Sequence, residues 1–258
     1  MQARISLSDN FSWRRVWNVA LFYGPAISKQ LLIYAAATVV FFCLTLMPFN
    51  ASAQVALFSM IWAAIGFMVE FAPIVLAKSG DSRIIERLLP ATAAEKLTFF
   101  SIYFLLVVPF VCYLLPHMSL YVYNSIPAIQ TDAMLALIDI KHSNPPQIMV
   151  MNLLSTAAAI ITCLYMVLFS KSNRIIKGIL SVFAVNIGLG VLGAIYGMGA
   201  MFRLGYEQGV SGEQPDVKEI INSMSQSTGY LVVVTVIIAL FAAYMFWITY
   251  KKLKGSWR

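Results

Sequence analysis

Six long apolar runs, broken by short polar stretches, constrain this chain more than any other feature. They lie at about Gln30–Met47, Val55–Ala77, Leu97–Leu115, Ile148–Phe169, Ile175–Phe202 and Tyr230–Tyr250. Each is long enough to cross a hydrocarbon core of about 30 Å, which takes roughly 20 helical residues. The runs are continuously apolar, whereas the strands of a membrane barrel would alternate apolar and polar residues. They therefore predict transmembrane helices. Composition agrees: 60% of the residues are apolar and only 11% charged, with a mean hydropathy of +0.79. Soluble globular chains carry roughly 25% charged residues, so the surplus apolar surface here has to face lipid.

In such a chain the net charge of +7 is read by location. With the N-terminus in the cytoplasm, the inside segments hold Arg4, Arg14, Arg15, Lys29, Lys78, Arg83, Arg87, Lys96, Lys171, Arg174, Lys177, Lys251, Lys252, Lys254 and Arg258. Only Lys141, Arg203 and Lys218 fall outside. The bias of basic residues toward cytoplasmic loops thus places both termini in the cytoplasm. The same residues are explained by topology and lipid headgroups, which leaves no need for a nucleic-acid partner.

Residues 1–29 read as an amphipathic helix at the membrane surface. Trp13, Val16, Trp17, Ala20, Leu21 and Gly24 recur at helical spacing opposite Arg14, Arg15 and Asn18. That pattern suits the headgroup layer. Gly24-Pro25 is expected to end the helix and turn the chain into the bilayer. Ala51-Ser52-Ala53 imitates a signal cleavage site, but the long amphipathic stretch before it argues against a signal peptide.

The expected fold is therefore all-α: a polytopic membrane protein with six transmembrane helices and an interfacial helix over residues 1–29. Residues 30–258 form the membrane domain, with a cytoplasmic link at 78–96 and outer loops at 117–147 and 203–228. Within those loops, Ile126–Ile140 and Pro215–Ser225 read as short helices, and Gly205, Gly209 and Gly212 as loop residues.

Few residues carry candidate chemistry. Glu70 is the one ionisable side chain well inside a predicted span. An acid at that depth is expensive and marks a pathway or gating residue, or else a hydrogen bond between helices. Gly193 and Gly197 form a small-xxx-small pair of the kind that lets helices approach closely, and Asn186 could hydrogen-bond a neighbouring helix. Cys43, Cys112 and Cys163 sit singly in apolar runs, without a CxxC pair or a Cys/His cluster, so neither a metal nor a redox role is expected. No GxSxG, HExxH or GxxxxGK[ST] pattern occurs, so the chain is not expected to be an enzyme, to hold a cofactor or to hydrolyse ATP by itself.

The most charged and best-punctuated passage is the link Ser82–Lys96. Thr92-Ala-Ala-Glu95 is a capping box, which starts the third span at a defined residue. Thr92–Lys96 reads as a helix start that needs no partner. Upstream, Arg83, Ile84, Ile85, Glu86, Arg87, Leu88 and Leu89 make about two amphipathic turns, which Pro90 separates from the span.

The order of an amphipathic Phe11-Ser-Trp-Arg-Arg-Val-Trp17, two spans, a link bearing Leu89-Pro-Ala-Thr-Ala-Ala-Glu-Lys96 and four more spans resembles the six-span permease subunits of ABC exporters of the second (ABC-2-like) class, in particular small Bacteroidota-type membrane proteins. The resemblance implies a multi-pass protein of the bacterial inner membrane. It implies that Arg83–Pro90 forms a coupling contact for a separate ATP-binding subunit. It further implies that a second permease subunit, identical or related, completes the export path as a homo- or heterodimer. Two other functions are consistent with the residues themselves: a membrane scaffold or assembly protein with a non-ATPase partner, and a proton-coupled carrier built around Glu70.

Overall fold

The computed structural model describes residues 11–45, 51–77, 90–112, 146–211 and 228–255. Among these the regular structure is entirely helical, and six helices are long and apolar enough to cross a membrane. They are α1 (Trp13–Thr45), α2 (Ala51–Phe71), α3 (Ala93–Cys112), α4 (Pro146–Phe169), α5 (Arg174–Ser211) and α6 (Thr228–Gly255). The expected helices at 126–140 and 215–225 lie outside the described residues.

The predicted break at Gly24-Pro25 does not occur. α1 is one helix of 33 residues with Pro25 inside it. Proline deprives the carbonyl one turn back of its donor, but membrane helices tolerate this when neighbours hold the segment on both sides. Here Val16, Val19 and Tyr23 are buried before the proline, and Gln30 and Tyr34 after it. The Ser28 hydroxyl donates to the Pro25 carbonyl at 3.2 Å, adding a local polar contact. The apolar face read from the sequence is also divided. Val16, Val19 and Tyr23 turn inward, whereas Trp13 and Trp17 stay 65% and 64% exposed. Exposed tryptophans beside Arg14 are what the membrane–water boundary favours.

α2 changes character where its sequence requires it. Pro73 has no N–H for the carbonyl one turn back, and the chain tightens into a 3-10 helix over Ala72–Leu76. α3 contains a π turn at Tyr103–Val107, in which the Val108 amide reaches the Tyr103 carbonyl. Through and beyond that turn Phe104, Val108 and Cys112 follow one another on the buried side, and Leu106 and Phe110 point outward.

The core lies mainly among α1, α2, α3 and α4. Tyr23 stacks on Phe99 at 5.6 Å, and Phe99 stacks on Tyr103 at 6.1 Å, so aromatic rings run between α1 and α3. α4 is the central post, packed by α2, α5 and α6, with Ala158, Ala159, Cys163 and Val167 fully enclosed. α6 joins α4 through a smaller cluster of Ala158, Ile238 and Ala242. A short turn connects α4 to α5, with Asn173 at φ 52°, a left-handed conformation that asparagine accepts more readily than most side chains. Close packing of α5 on α4 occurs at Gly178. A Cβ there would stand 3.0 Å from Val167 Cγ2 and 3.3 Å from Cys163 Sγ.

α5 continues to Ser211, past the expected end of its span at Phe202, and takes in Gly205 and Gly209. Glycine in a helix interior costs roughly 1 kcal/mol relative to alanine, which shortens a marginal helix but does not stop one of 38 residues.

Candidate functional site

The contacts gather several chain segments at one end of the bundle. The start of α1 meets the start of α3, because Ser12 and Arg15 both reach Glu95. The end of α4 meets the end of α6, where the Lys252 ammonium lies 5.7 Å from the Tyr165 ring and 5.8 Å from the Phe169 ring. Gly178 of α5 comes within reach of Ile74, in the 3-10 segment that ends the second span. The end of the second span, the start of the third, the α4–α5 turn and both ends of the described chain therefore share one face.

Glu95 is the organising residue of that face. Its side chain is 0% exposed. Thr92 and Glu95 form the predicted capping box: the Thr92 amide donates to Glu95 Oε2 at 2.8 Å and the Glu95 amide donates to Thr92 Oγ1 at 3.3 Å. The carboxylate also receives groups from far away in the chain. The Ser12 amide donates to Oε1 at 2.7 Å. Arg15 Nε lies 2.9 and 3.0 Å from the two carboxylate oxygens, and Arg15 Nη2 lies 2.8 Å from Oε1. One carboxylate thus closes the first turn of α3 and satisfies a backbone amide just before α1. Buried charges persist when paired and hydrogen-bonded in this way. Lys96, beside it, is enclosed to 1% exposure. The helix start expected at Thr92–Lys96 is present with its capping box, and it is at the same time the socket for the N-terminal helix.

Deeper in the bundle, a buried polar network ties three helices together. The Tyr103 hydroxyl of α3 donates to Gln30 Oε1 at 2.9 Å, and Gln30 Nε2 donates to the Tyr34 hydroxyl and, at 3.3 Å, to the Ala72 carbonyl. Tyr34 in turn donates to the Met68 carbonyl at 2.9 Å. The two carbonyls flank the change from α to 3-10 geometry before Pro73. Backbone acceptors at such an irregularity need partners from neighbouring helices.

Glu70 lies in α2, half-buried, where Asn186 Nδ2 of α5 donates to its Oε2 at 3.2 Å and to the Val182 carbonyl at 3.1 Å. The sequence considered a hydrogen bond between helices for each of these residues, and the structure joins the two to each other. Gly193 and Gly197 both lie in α5. Gly188, Gly190 and Gly199 would meet nothing if given a Cβ.

Of the expected docking residues, Arg83, Ile84, Ile85, Glu86, Arg87, Leu88 and Leu89 lie outside the described residues. Pro90 is described and exposed, and Ala91 after it is buried, so the link plunges into the bundle between these two residues. Among the described residues, no three His, Cys, Asp or Glu side chains gather to hold a metal ion.

Sequence reasoning missed Arg15 as a partner of Glu95, the Gln30–Tyr34–Tyr103 network and the packing role of Gly178. One signal was available for the network. Gln30 and Tyr34 stand four residues apart in an otherwise apolar run, the spacing that puts two polar groups on one helix face. Comparison with models of protein families, with characterised proteins and with solved structures finds no match to the chain.

Proposed function

We propose that this chain is the membrane-spanning permease subunit of an ABC-type exporter in a bacterial inner membrane, energised by a separate ATP-binding subunit that docks on the cytoplasmic link between the second and third spans. The observation that carries the reading is the socket at Glu95. The link leads directly into Pro90–Thr92, and Glu95 joins that point to Ser12 and Arg15. A load applied to the link would therefore be passed to α1 and α3 together, not absorbed by a loose connection. The basic residues Arg14, Arg15, Lys171, Lys252 and Lys254 belong to the face where these segments gather, and their excess there supports a cytoplasmic assignment of that face and of both termini. The partner supplies nucleotide hydrolysis, and two copies of a permease chain, identical or related, enclose the path.

The experiment is reconstitution of the chain with a co-purified ATP-binding subunit. Nucleotide hydrolysis should be stimulated by the chain, and Arg83→Glu or Arg87→Glu should abolish the stimulation without unfolding the bundle. Transport by the purified chain alone would overturn the reading. Failure of any ATP-binding subunit to associate in any nucleotide state would favour a scaffold with a non-ATPase partner instead.

The hydrogen bond between Glu70 and Asn186 supports a second reading, a proton-coupled carrier. It requires pH-driven uptake in liposomes without any ATPase, lost in Glu70→Gln.

A further inference from the structure

A groove of about 530 Å³ opens on the outer side of α1 where that helix meets the 3-10 segment of the second span. Its walls include Pro25, Lys29, Gln30, Ile33, Tyr34 and Val75. Pockets of roughly 300–1,000 Å³ are the size that holds a small ligand or part of a larger one.

Three observations narrow the occupant. The groove is open to the surroundings of the bundle, since Ile33 is 62% exposed and Lys29 is exposed. Its depth is set by Val75, near the end of the apolar stretch Ser59–Leu76 and on the side where the chain ends gather. The end of such a stretch is where hydrocarbon gives way to headgroups. Its chemistry is apolar on Pro25, Ile33 and Val75, with an amide and a phenol at the back and one charge, the Lys29 ammonium, at the mouth. None of the lining residues is acidic. An ammonium on a flexible stem at this depth reaches toward the headgroup layer and attracts anionic lipid.

We infer that this groove is a binding site for an anionic phospholipid of the leaflet on the side of the chain ends. Lys29 meets the phosphate and the upper part of one acyl chain lies along Ile33 and Val75. A zwitterionic headgroup brings its own ammonium toward Lys29 and is disfavoured. The site stands independently of any ATP-binding partner. It touches the same residues, Gln30 and Tyr34, that hold α1 to α2 and α3, so a bound lipid abuts the joint between these helices.

The test uses the full chain in neutral detergent, titrated separately with phosphatidylglycerol and phosphatidylethanolamine of equal acyl length, with bound lipid counted by native mass spectrometry. The parent should retain phosphatidylglycerol in preference. Lys29→Gln should weaken that lipid about fivefold, the factor matching the loss of one basic residue near an anionic surface, and leave phosphatidylethanolamine unchanged. Ile33→Trp should fill the groove and weaken both lipids. Lys251→Gln, which removes an exposed basic residue elsewhere on the same face, should change neither. Equal loss in Lys29→Gln and Lys251→Gln would show diffuse charge attraction and overturn the site. So would unchanged phosphatidylglycerol binding in Lys29→Gln, which replaces an exposed side chain and leaves the core intact. Competition by soluble glycerol phosphate as effective as that by the lipid would reassign the groove to a free phosphate compound. A shift in oligomeric state with Ile33→Trp, without any change in lipid retention, would assign it to a second copy of the chain.

Discussion

The Arg15 guanidinium pairs with the Glu95 carboxylate, with Nε at 2.9 and 3.0 Å from its two oxygens, across a separation of 80 residues in the chain. Glu95 is fully enclosed and Arg15 partly buried, its side chain 16% exposed. Removing one member of a buried ion pair strands the other, which costs about 3–5 kcal/mol. Arg15→Ala and Glu95→Ala should each destabilise the detergent-solubilised protein by that order. Arg15→Lys should fall between, since lysine keeps the charge but not the planar fork. Thr92→Ala, which removes only the cap, should cost about 1 kcal/mol. Thermal unfolding of the four variants tests the order. Equal losses for Thr92→Ala and Glu95→Ala would show that Glu95 is no more than a cap.

Gly178 and Gly188 separate packing from propensity on one helix. A methyl group at Gly178 meets Val167, itself fully buried, at 3.0 Å, and at Gly188 it meets nothing. Gly178→Ala should therefore destabilise, by about 1–3 kcal/mol as overpacked core sites do. Gly188→Ala should stabilise, by up to about 1 kcal/mol from helix propensity. Opposite signs in the unfolding temperature are the expected result. Stabilisation of both would mean that α4 and α5 yield freely at Gly178.

The Gln30 network should show coupling. Tyr103→Phe removes one buried donor and should cost about 1 kcal/mol. Gln30→Leu leaves the Tyr103 hydroxyl and the Ala72 carbonyl each short of the partner seen at 2.9 and 3.3 Å, and should cost more. The double variant Gln30→Leu/Tyr103→Phe should be less destabilised than the sum of the two. Strict additivity in a double-mutant cycle would dissolve the network into independent contacts.

Asn186→Ala should cost little. Asn186 is exposed and Glu70 half-buried, and hydrogen bonds between membrane helices average about 0.6 kcal/mol. A loss of several kcal/mol, measured by unfolding in mild detergent, would show that the Glu70–Asn186 pair is a main tie between α2 and α5.

The sidedness of the bundle has a direct check. A reporter that fluoresces only in the cytoplasm, fused after residue 255, should be active, and a periplasmic phosphatase fused at the same place should be silent. The reverse pattern would invert the topology derived from the basic residues.

Much of this molecule was legible in the amino-acid order because the responsible forces are local or one-dimensional. Length and continuous apolarity select membrane helices, since lipid leaves backbone amides no partner outside the segment. The capping box at Thr92–Glu95 follows from side chains three residues apart, and it forms where it was expected.

The tertiary structure decided which of these local features do a second job. Nothing near Glu95 in the chain announces Arg15, because the pair exists only once α1 lies beside α3. The helix runs through Gly24-Pro25 for the same reason: contacts on either side of the proline outweigh a local preference to break. Gly178 serves packing for a like reason: a small residue permits close approach only where another helix arrives, and at Gly178 that helix is α4. Local chemistry set what each segment could be. The burial of Glu95, Gln30 and Gly178 between helices distant in the chain set what those residues hold together.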